Sequence, residues 1–435
     1  MSSMDGNGGP EWARMLRVAV WRAYSVGHYG KSLIWYSSEL LFAYFLTEAC
    51  GLPPRAMGAV LAVSLVINGA TDMVMGHMLR RRAATVPAAA RLHVLGSILA
   101  GASLLLFLAT GLVPAGWRIP YALGTGLLFR LTYALYDVPQ NAVLGMVAGD
   151  RARTALSALR FVGAGLATLS VAVAAPLLLA RSGLEQARAF AAFALVLWVL
   201  GMASAGWFWW AARRGLYLEP SVPAMTRPLL SQFRVPMALT AVLAAEFVLS
   251  ATASVFTRLE PYFAATVLTS SLARGTVMAC VAIGGLAGQP LWTLVVDRHS
   301  PSAAFRASAA AAITGALAFL VFGARSLPLT AAAAGLLGTG LGGMSMLLWA
   351  AAGACAVSPA MSGHRLAPTQ VFGLLTLCIK VACAVAILVV SEILVWRTGD
   401  RHTVVSALGL ILPMTILPSL GAMLCLVLTP RLRLT

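Results

Sequence analysis

The chain has 435 residues, 60% of them hydrophobic and 10% charged, with a mean hydropathy of +0.86. Soluble domains carry about 25% charged residues, so a water-soluble globular fold is excluded. The formal charge of +17 comes from arginines scattered over short connections, which report topology and give no ground for a nucleic-acid partner.

Apolar stretches of roughly 20 residues, each long enough to cross a hydrocarbon core of about 30 Å, recur along the whole length. They predict twelve spans, near 25–48, 57–78, 92–113, 120–147, 156–180, 188–212, 236–258, 275–296, 304–324, 328–354, 367–395 and 404–428. The short, polar and basic stretch 1–22 does not read as a cleavable signal peptide. With the N-terminus inside, eighteen arginines fall in cytoplasmic segments and nine on the opposite side, the latter including Arg55, Arg118 and Arg258. That asymmetry follows the positive-inside rule and predicts a multi-pass inner-membrane protein with both termini cytoplasmic. The Pro- and Arg-rich connection 213–235 divides the chain into 1–212 and 236–435, six spans each. Paired halves of this kind place a solute site at mid-membrane between them.

Lysine occurs at only two positions, Lys31 and Lys380, and both lie inside apolar runs. A charge at the bilayer centre costs about 3 kcal/mol or more unless it faces a partner or a polar cavity. In the first span Lys31 either snorkels to the interface or lines a cavity. Glu39, two turns further in, is expected to face the cavity. The second span carries Asn68 and Asp72 four residues apart, hence on one helical face, where two oxygen-bearing side chains offer ligands to a small cation. In the fourth span Arg130 and Asp137 share a face seven residues apart, and Pro139 disturbs the helix just beyond the acid. Asp137 is either a direct ligand or the structural partner of Arg130 or of Arg160 in the fifth span. Glu246 in the seventh span has no supporting motif. His77 and His93 read as interface residues. Lys380, in the eleventh span, needs a carboxylate from another helix, with Asp72 and Asp137 as the candidates.

The six cysteines show no metal-ligand spacing and read as small packing residues. No nucleophile–base pair, phosphate loop or cofactor motif occurs in the sequence, so neither an enzyme nor a cofactor is expected.

Several segments match one pattern in register. They are Tyr24-Ser-Val-Gly-His-Tyr-Gly-Lys31, Phe42-Ala-Tyr-Phe-Leu-Thr47-Glu-Ala-Cys-Gly51, Asn68-Gly-Ala-Thr-Asp72-Met-Val-Met-Gly76 and Tyr136-Asp137-Val-Pro139. Asp150-Arg-Ala-Arg153-Thr154 with Arg160, Gly288-Gln-Pro290-Leu-Trp292, and Gly363-His-Arg365 ahead of Gly373 and Lys380 complete the set. Together they resemble the glycoside–pentoside–hexuronide:cation symporters, the melibiose permease branch of the major facilitator superfamily.

The resemblance implies the major facilitator fold, with Asn68 and Asp72 at the cation site. It implies that Asp137 and Arg160 face substrate, with Lys31, Glu39 and Asn141 beside them, and that Lys380 couples the two sites. Three departures stand out. Asn68 replaces the family's first cation-site acid, Ser32 stands where sugar carriers place an acid, and Asn141 stands where they place a stacking tryptophan. Relatives that move lysolipids or sulfonates share the scaffold, so it is not tied to sugars.

The sequence therefore predicts a monomeric symporter in the lipid bilayer that moves a small polar or amphipathic solute with a cation by alternating access. Protons are favoured over sodium because one acid of the cation site is missing. A proton-driven exporter and a non-transporting assembly or pigment-binding factor on the same fold are the alternatives.

Overall fold

The computed structural model describes residues 11–79, 82–83, 85–145, 150–214, 237–268, 271–323, 325–357, 368–399 and 407–432. Every regular element among them is helical. The twelve long helices are α1 (Glu11–Tyr44), α2 (Pro54–Leu79), α3 (Val86–Leu108), α4 (Arg118–Gly145), α5 (Asp150–Leu179), α6 (Gly183–Arg214), α7 (Met237–Val267), α8 (Ser271–Arg298), α9 (Pro301–Phe322), α10 (Leu327–Val357), α11 (Pro368–Gly399) and α12 (Ala407–Leu428). Ten are long and apolar enough to cross a membrane. The two that fall short are α1 and α4, where Lys31, Glu39, Arg130 and Asp137 interrupt the apolar run. Both line the site described below. The chain is thus an all-α membrane protein of twelve helices.

Helix ends follow local chemistry. The Thr85 and Ser300 side chains accept hydrogen bonds from Ala88 N and Ala303 N, capping α3 and α9, and each of these helices has a proline in its first turn. α1 relaxes into a π turn at Phe45–Ala49, and Gly51 then turns the chain with φ of +67°, a left-handed conformation that favours glycine. α6 ends on Arg213 and Arg214, which lie over the rings of Trp209 and Trp210 at 4.8 and 4.2 Å. Basic residues there also complement the negative end of the helix dipole.

Among the first six helices, α3 packs on α4 and α6, α1 on α5 and α6, and α2 on α4. Among the last six, α10 packs on α8 and α9, α12 on α7 and α9, and α11 on α7. The two groups meet where α2 lies along α11, α5 along α8 and α1 against α7. Outward-facing Val173, Leu177, Trp207, Leu388 and Val427 are well exposed, as expected of a surface solvated by lipid rather than water.

The antiparallel pair α2–α11 is closed at one end and splayed at the other. A Cβ on Gly58 would stand 2.6 Å from Ser391 Cβ, and one on Gly69 would stand 2.8 Å from a Leu377 methyl. A Cβ on Gly76 of α2 or on Gly373 of α11, at the opposite end, would meet nothing within 4 Å among the described residues. At the closed end Arg55 donates to Glu392 from Nε and Nη2 at 2.9 and 3.0 Å. Thr47 and Tyr262 join α1 and α7 there through a 2.7 Å hydroxyl contact.

Three readings change. α7 does not stop at 258: it continues through Pro261 to Val267, because a proline removes one helical donor without forcing an end when neighbouring helices pack around it. Arg258 is therefore 1% exposed inside the bundle rather than in an outer loop. His93 is fully buried, its Nδ1 2.7 Å from the Tyr136 carbonyl oxygen and its ring stacked on that tyrosine, so it is not an interface residue. Residues 215–235 of the 213–235 connection and Gly363-His-Arg365 lie outside the described residues, as do the side chains of Asp150–Thr154, His77 and Cys355.

Candidate functional site

Six of the polar residues singled out in the sequence meet in one buried cluster drawn from α1, α2, α4 and α11. On one side, Lys31 Nζ lies 2.6 Å from Asp137 Oδ1 and donates to Asn141 Oδ1 at 2.9 Å. The Asn141 amide donates in turn to Asp137 Oδ1 at 3.0 Å. Asp137 and Asn141 are one turn apart on α4, so the helix itself aligns the carboxylate and the amide on the lysine. Lys31 does not snorkel. It is 3% exposed and is committed to Asp137.

On the other side, Lys380 of α11 donates to both Asn68 and Asp72 of α2. Its ammonium sits between the two oxygens that the spacing of α2 offers a small cation. The amide of Asn68 is held by a 3.3 Å bond from Nδ2 to the Arg130 carbonyl oxygen, which turns Oδ1 toward the lysine. Lys380 Nζ is 4.0 Å from Asp137 Oδ2 and 5.5 Å from the centre of the Trp35 ring. Asp72 Oδ1 has no hydrogen-bond partner among the described residues. Two lysines face two aspartates, so the charges balance, and one lysine lies within reach of both acids.

Arg130 and Asp137 do not pair, although they share a face of α4. The Arg130 guanidinium donates to Ser38 Oγ at 2.5 Å and lies over the Trp35 and Phe129 rings at 5.7 and 5.2 Å. Its side chain points along α4 away from the acid, toward a second buried group. There, Glu39 Oε2 accepts from Arg258 Nη2 at 2.7 Å, joining α1 to α7. Glu39 is thus not brought into the Lys31–Asp137 cluster but belongs to the closed end. Arg160 also stands apart, with its guanidinium 4.5 Å over the Trp349 ring and with Asp137 and Lys31 as charge neighbours. The cluster's supports with no role assigned from sequence are Trp35, Tyr133, Gln140 and His28. Trp35 and Tyr133 stack at 6.0 Å, and His28 Nδ1 lies 3.2 Å from Gln140 Oε1. Position i and i+3/i+4 relations to Lys31 and Asp137 mark all four. Among the described residues no group of three or more metal-ligating side chains converges.

The geometry describes a buried polar centre shared by helices from both groups. Solved structures share this architecture. A D-xylose-proton symporter superposes with a TM-score of 0.64 over 97% of this chain and 99% of its own, at 13% identity. A bacterial homologue of the iron transporter ferroportin superposes in its inward-facing state with a TM-score of 0.62, over 96% and 99% at 11% identity. The same homologue in its outward-facing state with soaked iron gives 0.64, over 96% and 98% at 11% identity. At these identities the likeness is one of fold. In sequence, YagG of Escherichia coli (strain K12), named as a candidate glycoside/cation symporter, is 30% identical over 176 residues. That match spans 40% of this chain and 38% of the length of YagG. The family model described as MFS/sugar transport protein matches residues 23–435, and the chain belongs to this family of membrane transporters.

Proposed function

We propose that the protein is a cation-coupled secondary transporter that carries a small polar or amphipathic solute by alternating access, with the proton as the coupling ion. The observation that carries this reading is the position of Lys380. Its ammonium bonds Asp72 and Asn68 and lies 4.0 Å from the second aspartate, Asp137. When Asp72 takes up a proton it no longer attracts the lysine, and the nearest remaining negative charge is Asp137. Lys380 then competes with Lys31 for Asp137 and frees Lys31 and Asn141 to bind solute. Proton and solute are linked through one side chain, which is what a coupling free energy between two sites requires.

Sodium is disfavoured on the same geometry. Its place is filled by a tethered ammonium, and one of the two oxygens there belongs to a neutral amide. The name of YagG supports a glycoside as one solute class. The absence of a ring-stacking tryptophan at Asn141 favours a solute held by charge and amide contacts instead.

The halves are 1–212 and 236–435, joined through 213–235, with both termini on the cytoplasmic side. The end where α2 and α11 diverge is then the cytoplasmic one, and the arrangement is inward-open. Purified protein in vesicles, challenged with labelled glycosides, uronic acids and sulfonates, tests the proposal. A pH gradient is expected to drive accumulation of at least one class. Sodium-driven uptake at fixed pH, with no response to a pH gradient, would overturn it.

A further inference from the structure

Glu246 lies on α7, among the last six helices, and the coupling scheme does not use it. It is 2% exposed, yet one carboxyl oxygen, Oε2, has no hydrogen-bond partner among the described residues. The other accepts a bond from Ser250 Oγ at 3.3 Å, and the indole of Trp349 on α10 also bonds the carboxyl. Among the described residues, the helices packed on α7 offer Glu246 no ion pair. On α1, Lys31 is committed to Asp137; on α11, Lys380 is committed to Asp72; on α7 itself, Arg258 is committed to Glu39. On α8, Arg274 donates to the carbonyls of Leu179 and Leu268, and Asp297 and Arg298, at the C-terminal end of the helix, make no ion pair with Glu246 among the described residues. α10 and α12 contain no charged residue between 327 and 357 or between 407 and 428; among the described side chains they contribute Trp349 and the Cys425 thiol, and α11 adds the Cys378 thiol. The cation left over is Arg160 of α5, which makes no ion pair among the described residues and stacks on Trp349 at 4.5 Å. One indole thus separates an unpaired buried acid from an unpaired cation across the contact between the two groups of helices.

We infer that Glu246 is a second proton-binding site, neutral in this arrangement, and that Trp349 controls its access to Arg160. A buried carboxyl with two weak donors and no cation stays neutral, because an unpaired charge is costly there. When Trp349 turns aside, the carboxyl O–H bond breaks, the proton passes to an entering water, and the carboxylate pairs with the Arg160 guanidinium. The solute-dependent part of this inference rests on the transporter reading above; its spectroscopic test does not.

Difference infrared spectroscopy of the purified protein in lipid vesicles, titrated through neutral pH, is the test. A carbonyl stretch of a protonated acid is expected, absent from Glu246→Gln and present in Asp72→Asn. It is expected to shift in Trp349→Phe, which keeps the acid but removes a donor, and that variant covers a failure of Glu246→Gln to fold. A spectrum identical for unmutated protein, Glu246→Gln and Trp349→Phe would overturn the inference whether or not any transport is measured. If a transported solute is in hand, Glu246→Gln is expected to keep solute exchange while losing pH-driven accumulation at least tenfold. Unchanged accumulation would overturn the coupling role.

Discussion

At Lys380, helices far apart in sequence share one charge. Its partners Asp72 and Asn68 sit 308 and 312 positions away, so the contact ties α11 to α2. Removing one member of a buried pair leaves the other uncompensated, at a cost of about 3–5 kcal/mol, whereas removing both is far milder. Lys380→Met alone is therefore expected to lower the melting temperature sharply, and Asp72→Asn with Lys380→Met to recover most of the loss. Equal losses in the single and double variants would mean that the pair is not a unit. Asn68→Asp adds a second carboxylate beside one lysine and is expected to make uptake respond to a sodium gradient; no change at saturating sodium would contradict this use of the site.

The members of this cluster were legible because a lysine or aspartate inside an apolar run has few affordable surroundings. Spacing alone was less informative for Arg130, where a shared helical face with Asp137 suggested a pair. The guanidinium is long enough to reach Ser38 and the rings of Trp35 and Phe129 instead, and aromatic faces are a partner that charge patterns do not announce.

At the scale of elements, α2 and α11 act as a pair of blades, touching at Gly58 and Gly69 and apart at Gly76 and Gly373. A larger residue at 58 must collide with Ser391 in this arrangement and is relieved only if the closed end opens. Such overpacking costs about 1–3 kcal/mol, which is roughly 5- to 150-fold in the ratio of two states. Gly58→Val is therefore expected to raise the rate at which an impermeant thiol reagent labels Ser391→Cys from the closed side, and Gly76→Val to leave it unchanged. Equal effects of the two valines would argue against a pivot between them. The twelve helices were readable from hydropathy, but their ends were less so. The apolar run predicts an end for the seventh span at 258, whereas α7 runs on through Pro261 to Val267, and this one boundary decided whether Arg258 counted as an outer-loop charge or as the buried partner of Glu39.

Across the whole molecule the buried charges other than Glu246 and Glu260 fall into two groups along the bundle. Glu39, Arg258 and Arg130 sit toward the closed end, and Asp72, Asp137, Lys31 and Lys380 stand at the foot of the open one. The first group holds α1 to α7; in the proposed cycle it is released when that end opens, and the second changes partners when a proton arrives. The sequence resemblance pointed to the second group, while the first became visible only when α1 and α7 were seen side by side. The central claim is that Asp72 links the proton to the solute through Lys380. The most direct measurement is the pH change outside lightly buffered vesicles when a transported solute is added without any imposed gradient. Solute entry is expected to alkalinise the medium with the unmutated protein, and Asp72→Asn is expected to abolish that change while solute counterflow persists. Solute entry with no proton movement, or proton movement undiminished in Asp72→Asn, would contradict the account.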